Sequence, residues 1–380
     1  MAGLTMTRLF SACLLILLTT ILSGCQAIVL PAHSAGTAFM AAAQSTLRIP
    51  FDVVPVTLRV PGLAPPIKPM LPIPPAPPFA VGNELTIDAL LARTIEGSDL
   101  IIEEQLEDGA NYTRYIASYL SEGNKIYGLL TVPYGAPPEG GFKAIVFNHG
   151  YIPPNRYRTT ERYVAYVDAL ARSGFVVFKI DLRGFGNSEG EPTGTYFSPA
   201  YTIDAISALK SLQTLDYVDP EGIGMWGHSM AGNLVLRAML VEPAIAAGVI
   251  WAGAVFSYDD FVRYSITDPS YNPTAATNLS SRQAGQQIQE VYGPPDTTVP
   301  FWKAVSLTEH IDLLKAPLQL HHALNDSVVD VRYSADLAAV LNAAGKMHES
   351  YQYENGGHNI GAPAFDEAMR RTIEFFQKHL

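Results

Sequence analysis

Ile223-Gly224-Met225-Trp226-Gly227-His228-Ser229-Met230-Ala231-Gly232-Asn233-Leu234-Val235-Leu236 is the stretch from which the rest of the chain is read. A short apolar run stops at a small residue, a serine follows between His228 and Met230, and an apolar-periodic segment without proline begins at once. That pattern predicts a strand, a tight turn and a helix, with the serine held in a strained backbone conformation and its hydroxyl exposed at the sheet edge. Small neighbours are needed so that the helix can pass close to the strand. The pattern is G-x-S-x-A, with Ala231 where glycine is usual and Gly232 directly after it. A pentapeptide is too short to carry a fold; the order of the elements around it does.

Working outward, Ala144 to Phe147 and Phe175 to Ile180 are buried-type strand runs, and Gly222 to Trp226, Ala247 to Ala252, Ala316 to Leu324 and Glu349 to Tyr353 are further strands. Helical periodicity falls between or after them, at Thr160 to Ser173, Pro199 to Leu215, Tyr333 to Ala344 and Pro363 to His379. Strands alternating with helices of this length predict an α/β fold with a mostly parallel, doubly wound sheet and crossovers on both faces. Upstream, Tyr112 to Leu120 and Ile126 to Val132 alternate and flank a Gly-Asn turn, which predicts an antiparallel hairpin added at the sheet edge. Residues 253–313 lose the rhythm and carry aromatics, prolines and polar helix-like pieces. An interruption of that length after a parallel strand is where lids sit, so it is read as a small helical cap.

A hydroxyl nucleophile needs a base within hydrogen-bond reach and an acid that fixes the base's tautomer. Asp326 follows the strand that ends near Ala323, and His358 follows the strand that ends near Tyr353. Both therefore fall in loops at the carboxyl edge of the sheet, where Ser229 also falls. The chain order Ser229, Asp326, His358 is that of the α/β-hydrolase fold. An oxyanion hole in this arrangement uses the backbone N–H after the nucleophile, here Met230, and a second donor from the loop after the Ala144 to Phe147 strand. Tyr151 supplies that second donor through its N–H, with its phenol hydroxyl as an alternative.

From Lys143 onward the chain resembles the α/β-hydrolase family, and within it the prolyl-oligopeptidase-like or dienelactone-hydrolase-like branch. The residues carrying this are Asn148-His149-Gly150-Tyr151, Asp181-Leu182-Arg183-Gly184-Phe185-Gly186-Asn187-Ser188, Gly227 to Gly232, Asn325 to Val329 and Gly357-His358. The resemblance implies a serine hydrolase that cleaves ester or peptide bonds through an acyl-enzyme, with Asp181 and Arg183 as scaffold. Asp330 stands where the family often has proline and is a minor rival to Asp326. Peptidases of this branch carry a large propeller that filters peptides, whereas the segment preceding this hydrolase region is mostly leader, spacer and hairpin, so an esterase is preferred. A catalytically inactive hydrolase fold serving as a surface binding module is the alternative.

His321 and His322 are adjacent on a strand and point to opposite faces, so they cannot chelate one ion. His228 is read as packing beside the serine, and no His/Asp/Glu cluster has metal-ligand spacing. No cofactor is implied. The net charge of −11, without any Lys/Arg run, argues against a nucleic-acid partner and leaves a small-molecule ester or peptide substrate.

Residues 1–24 read as an export signal, with Arg8 followed by the apolar run Leu9 to Leu22. Leu22-Ser23-Gly24-Cys25 resembles a bacterial lipoprotein box, which implies lipidation of Cys25 and an extracytoplasmic, membrane-anchored protein; ordinary secretion is the alternative. The only two cysteines, Cys13 and Cys25, lie here, so the body has no disulfide. Residues 25–80 are rich in Ala and Pro, with nine prolines between Pro61 and Pro78, and read as an extended tether ahead of a hydrolase domain over 81–380.

Overall fold

The computed structural model describes residues 78–380. The expected export signal, Cys25 and nearly all of the tether lie outside the described residues. After a 3-10 turn at Asn83–Leu85 comes a short helix, α1 (Ile87–Leu91), capped by the Thr86 hydroxyl, which accepts from the Ala89 N–H. Three antiparallel strands follow: β1 (Ile101–Gln105), β2 (Tyr112–Ser121) and β3 (Asn124–Pro133). The hairpin turn is Glu122-Gly123, one residue before the expected Gly-Asn pair, because Ser121 pairs with Asn124. Both turn residues have positive φ, 50° and 81°, as a two-residue turn matched to strand twist requires.

The α/β part then runs β4 (Phe142–Asn148), α2 (Val164–Arg172), β5 (Val176–Ile180), α3 (Ala200–Leu212), β6 (Val218–His228), α4 (Met230–Val241) and β7 (Ala247–Trp251). An insertion carries α5 (Asp260–Arg263), α6 (Leu279–Tyr292) and α7 (Pro300–Val305). The chain closes with β8 (Leu318–Ala323), α8 (Arg332–Ala343), β9 (His348–Tyr353) and α9 (Phe365–His379). Among the described residues the sheet has nine strands in the order β1-β2-β3-β5-β4-β6-β7-β8-β9. Strands β4 to β9 are mutually parallel, and β3 joins them antiparallel to β5. This is the α/β-hydrolase fold.

Helices cover both faces because the central strands are apolar on both sides. One core joins α3, α4 and α8 to the sheet through Leu209, Leu234, Val235 and Leu337. A second, across the sheet, holds Val167 and Leu170 of α2 against Met369, Phe375 and Phe376 of α9. The chain leaves β4 to one neighbour, β5, and later returns to the other side as β6, so strand order reverses at β4. A crevice opens outside the carboxyl ends of strands at such a reversal. The loop after β4 and the turn after β6 both sit there.

Candidate active site

The turn between β6 and α4 has the conformation that its sequence predicts. Ser229 has φ 56° and ψ −120°, a region that a residue with a Cβ enters only under strain. Close passage of α4 explains its small neighbours. A Cβ on Gly227 would stand 2.7 Å from the Ala231 carbonyl oxygen, and one on Gly232 would stand 2.7 Å from the Gly253 Cα. The methyl of Ala231 is fully buried and fits without displacing the turn.

Loops from three strands bring Ser229, His358 and Asp326 together. The His358 Nε2 lies 2.9 Å from the Ser229 Oγ, and its Nδ1 lies 2.8 Å from the Asp326 Oδ2. A carboxylate can only accept, so Nδ1 carries the ring hydrogen and Nε2 is free to accept from the serine hydroxyl. Asp326 has a fully buried side chain. Its Oδ1 accepts from the N–H groups of Val328 and Val329, at 2.8 and 3.0 Å. Burial alone would raise its pKa, but hydrogen bonds from His322 and His358 outweigh that and hold it well below the usual carboxylate range. Asp330 is engaged elsewhere: its carboxylate binds Arg332 Nε at 2.9 Å and the Arg332 N–H at 3.0 Å.

Three residues support the site: His322 and His228, which the sequence reading left without a chemical role, and Tyr163, which it did not mention. His322 Nε2 faces the Val329 carbonyl at 3.1 Å and Asp326 Oδ2 at 3.2 Å, so it donates toward the acid, while Nδ1 accepts from the Ser334 hydroxyl at 2.8 Å. Its spacing of four from Asp326 was the available signal.

His228 does more than pack. Its Nε2 lies 2.9 Å from the carbonyl oxygen of His358, an acceptor, so Nε2 donates and Nδ1 must accept. The acceptor's partner is the Tyr163 hydroxyl at 2.8 Å, and the Tyr163 oxygen in turn accepts from the Gly150 N–H at 2.9 Å. Burial lowers the His228 pKa to about 3, so the ring stays neutral and the direction of every bond is fixed. A single chain of hydrogen bonds therefore runs from the loop after β4 to the loop that carries His358. Nothing in the local sequence around Tyr163 announces this.

The same β4 loop carries Tyr151. Its peptide neighbour Gly150 is held at the N–H by Tyr163, and its carbonyl oxygen lies 2.7 Å from His149 Nδ1, whose ring also places Nε2 3.0 Å from the Asp181 carbonyl oxygen. In a planar trans peptide the Tyr151 N–H points opposite to that carbonyl. Tyr151, Ser229 and Met230 line one cavity, and Met230 opens α4, where helix N–H groups are unpaired and the dipole favours negative charge. The Tyr151 phenol meets the Asn278 amide of the cap, 3.1 Å from Nδ2. That bond engages the hydroxyl on the cap side. Asp181 and Arg183 build scaffold: the Asp181 carboxylate accepts from Tyr157 and Thr159, and Arg183 grips the buried Asp204 carboxylate, with Nη2 at 2.6 Å.

The serine aminopeptidase S33 family matches residues 142–287, which include the β4 loop, Ser229 and much of the cap. Among curated proteins, the chain is 27% identical over 173 residues to the quorum-quenching protein AidA of Acinetobacter baumannii, covering 46% of this chain and 52% of that one. The chain thus spans about half the length of that relative. Among solved structures, an acetyl xylan esterase from Paenibacillus sp. R4 superposes with a TM-score of 0.56 at 19% identity, over 76% of this chain and 92% of that one. An acylaminoacyl peptidase of Pyrococcus horikoshii superposes with a TM-score of 0.56 at 20% identity, over 71% of this chain and 42% of that one. Those two structural likenesses speak to the fold alone. The fold is therefore that of the α/β-hydrolases, and over residues 142–287, which hold the strained serine of the β6–α4 turn, the chain is similar to the serine aminopeptidase S33 family.

Proposed function

We propose that the protein cleaves esters through an acyl-enzyme formed on Ser229. His358 removes the serine proton as the hydroxyl oxygen attacks the carbonyl carbon, then returns that proton to the departing alcohol. Asp326 holds His358 in the Nδ1–H tautomer and stabilises the imidazolium that forms. The N–H groups of Met230 and Tyr151 receive the oxyanion. Water repeats the cycle on the acyl-enzyme and releases the acid. The observation that carries this reading is the continuous Ser229–His358–Asp326 hydrogen-bond path, at 2.9 and 2.8 Å, ending on a buried carboxylate.

The preference for esters over peptides rests on the cavity above Ser229. Aminopeptidase action needs carboxylate charge to hold the substrate amine, and among the described residues Asp268 is the sole acidic one in that cavity's wall. Its Oδ1 already accepts from the N–H and the hydroxyl of Ser270. Membrane anchoring through Cys25, with an extracytoplasmic site of action, belongs to the same proposal and rests on sequence only. Replacing Ser229 by Ala should abolish both turnover of p-nitrophenyl esters and labelling by a fluorophosphonate probe. Undiminished labelling of that variant would refute the assignment of the nucleophile. Faster turnover of aminoacyl p-nitroanilides than of p-nitrophenyl esters would reverse the substrate preference.

A further inference from the structure

The space between the cap and the sheet edge is a cavity of about 560 Å³ that begins at Ser229 and Met230 and runs beneath α6. That volume is in the range that encloses a drug-sized ligand. Its walls are aromatic: Tyr151 and Phe185 come from the core side, Tyr196 and Phe197 from the loop before α3, and Phe261 and Tyr271 from the cap. The rings are fixed by one another. Phe197 stacks on Phe261 with centroids 5.9 Å apart, Tyr196 meets Phe261 edge-on at 5.3 Å, and Tyr151 meets Tyr271 edge-on at 5.5 Å. The charged residues in the wall are Asp268 and Arg282, of opposite sign. Both are engaged, Asp268 by Ser270 and Arg282 by the carbonyl of Pro273.

The geometry points to an uncharged ester bearing a bulky aromatic group as the substrate of this cavity, an inference that rests on Ser229 being the nucleophile. An aromatic box can also attract a cation. Here the wall's two charged residues, Asp268 and Arg282, sum to a formal charge of zero, so the lining as a whole offers an entering ammonium no net negative charge to offset the water it loses. A small acyl group such as acetate would leave the rings uncovered. Each additional buried methylene equivalent raises kcat/KM by about fourfold, so an aryl-alkyl group that fills the box is favoured over acetyl or ethyl by roughly 50-fold or more.

The test uses the full chain and four esters followed by pH-stat at pH 6: ethyl acetate, ethyl 3-phenylpropionate, 2-phenylethyl acetate and phenylalanine ethyl ester, whose amine is charged. The expected result is that the better of the two neutral aromatic esters exceeds ethyl acetate in kcat/KM by about 50-fold. The phenylalanine ester should be at least about tenfold poorer than that neutral ester. Gln286→Trp, at an exposed position of α6 that lines the cavity, should cut the aromatic-to-ethyl-acetate ratio by about tenfold. Equal rates for the three neutral esters, a phenylalanine ester that matches or exceeds the neutral aromatic ones, or an unchanged ratio in Gln286→Trp would each overturn the inference. Fluorophosphonate labelling of Ser229 separates the two levels. Labelling with a flat ester profile refutes the aromatic assignment alone, whereas neither labelling nor turnover refutes the nucleophile as well.

Discussion

Strain at Ser229 can be weighed by comparing two substitutions that both remove the hydroxyl. Ser229→Ala keeps a Cβ at φ 56° and ψ −120°, whereas Ser229→Gly removes it from a conformation that glycine adopts freely. Each leaves His358 Nε2 without its partner at 2.9 Å, so that loss cancels in the comparison. Backbone strain of this kind costs about 1–3 kcal/mol. Against it stands the greater chain entropy that glycine loses on folding, about 0.5–1 kcal/mol. The balance makes Ser229→Gly more stable than Ser229→Ala by about 1 kcal/mol. In an ordinary helix or strand the order is reversed, with glycine the less stable. Urea unfolding of the two variants followed by far-ultraviolet circular dichroism gives the difference directly, provided that the denaturant slope is the same for both. If Ser229→Ala proved equal to or more stable than Ser229→Gly, the turn would not be the strained element described.

Other expectations follow from the supporting bonds. Tyr163→Phe leaves the Gly150 N–H and His228 Nδ1 without partners and should lower kcat by about 10- to 100-fold with little change in KM; a wild-type kcat would show that the bond chain does not position the site. Asp326→Asn should cost on the order of 10⁴ in kcat by fixing the wrong His358 tautomer, whereas Asp330→Asn should stay near wild type; comparable losses would mean that the acid has been misassigned. Acid should destabilise the protein progressively from near pH 6.5 downward. Burial lowers the pKa of His149 to about 4 and of His228 and His321 to about 3. The unfolded chain therefore binds protons that the fold excludes, and stability falls as the pH drops, by about 1.4 kcal/mol per pH unit for each ring. The depressed Asp326 carboxyl adds a further loss below about pH 4. Thermal melts between pH 4 and 8 report this, and a midpoint independent of pH would contradict it.

Much of this site could be read from residue order because its parts are local. Ser229, Asp326 and His358 each follow a strand of the parallel sheet, the first two after apolar runs, and parallel strands necessarily present their carboxyl ends on one edge. What escaped is what depends on packing across the sheet edge. Tyr163 enters α2 at φ 58° with no capping residue type, and its role exists only because β4, β6 and the loop after β9 converge upon it. β1 went unrecognised for a different reason: all five of its residues are exposed, so no alternation marks it. The cap was legible as a helical interruption, but not the bounds of its helices, since α6 buries only Gly285 and Ile288 and most of its surface is polar.

The beginning of the described chain also bears on the cap. Phe79 lies edge-on to Phe301, with centroids 5.4 Å apart, and to Tyr292 at 6.0 Å, while the Tyr292 hydroxyl bonds the backbone of Val81 on both its N–H and its carbonyl. Tyr292 ends α6 and Phe301 opens α7, so the roof of the cavity is buckled to the residues just ahead of α1. Tension applied to the chain at Phe79 is consequently delivered to that roof before it reaches the sheet, so the buckle ties the start of the described chain to the cavity above Ser229.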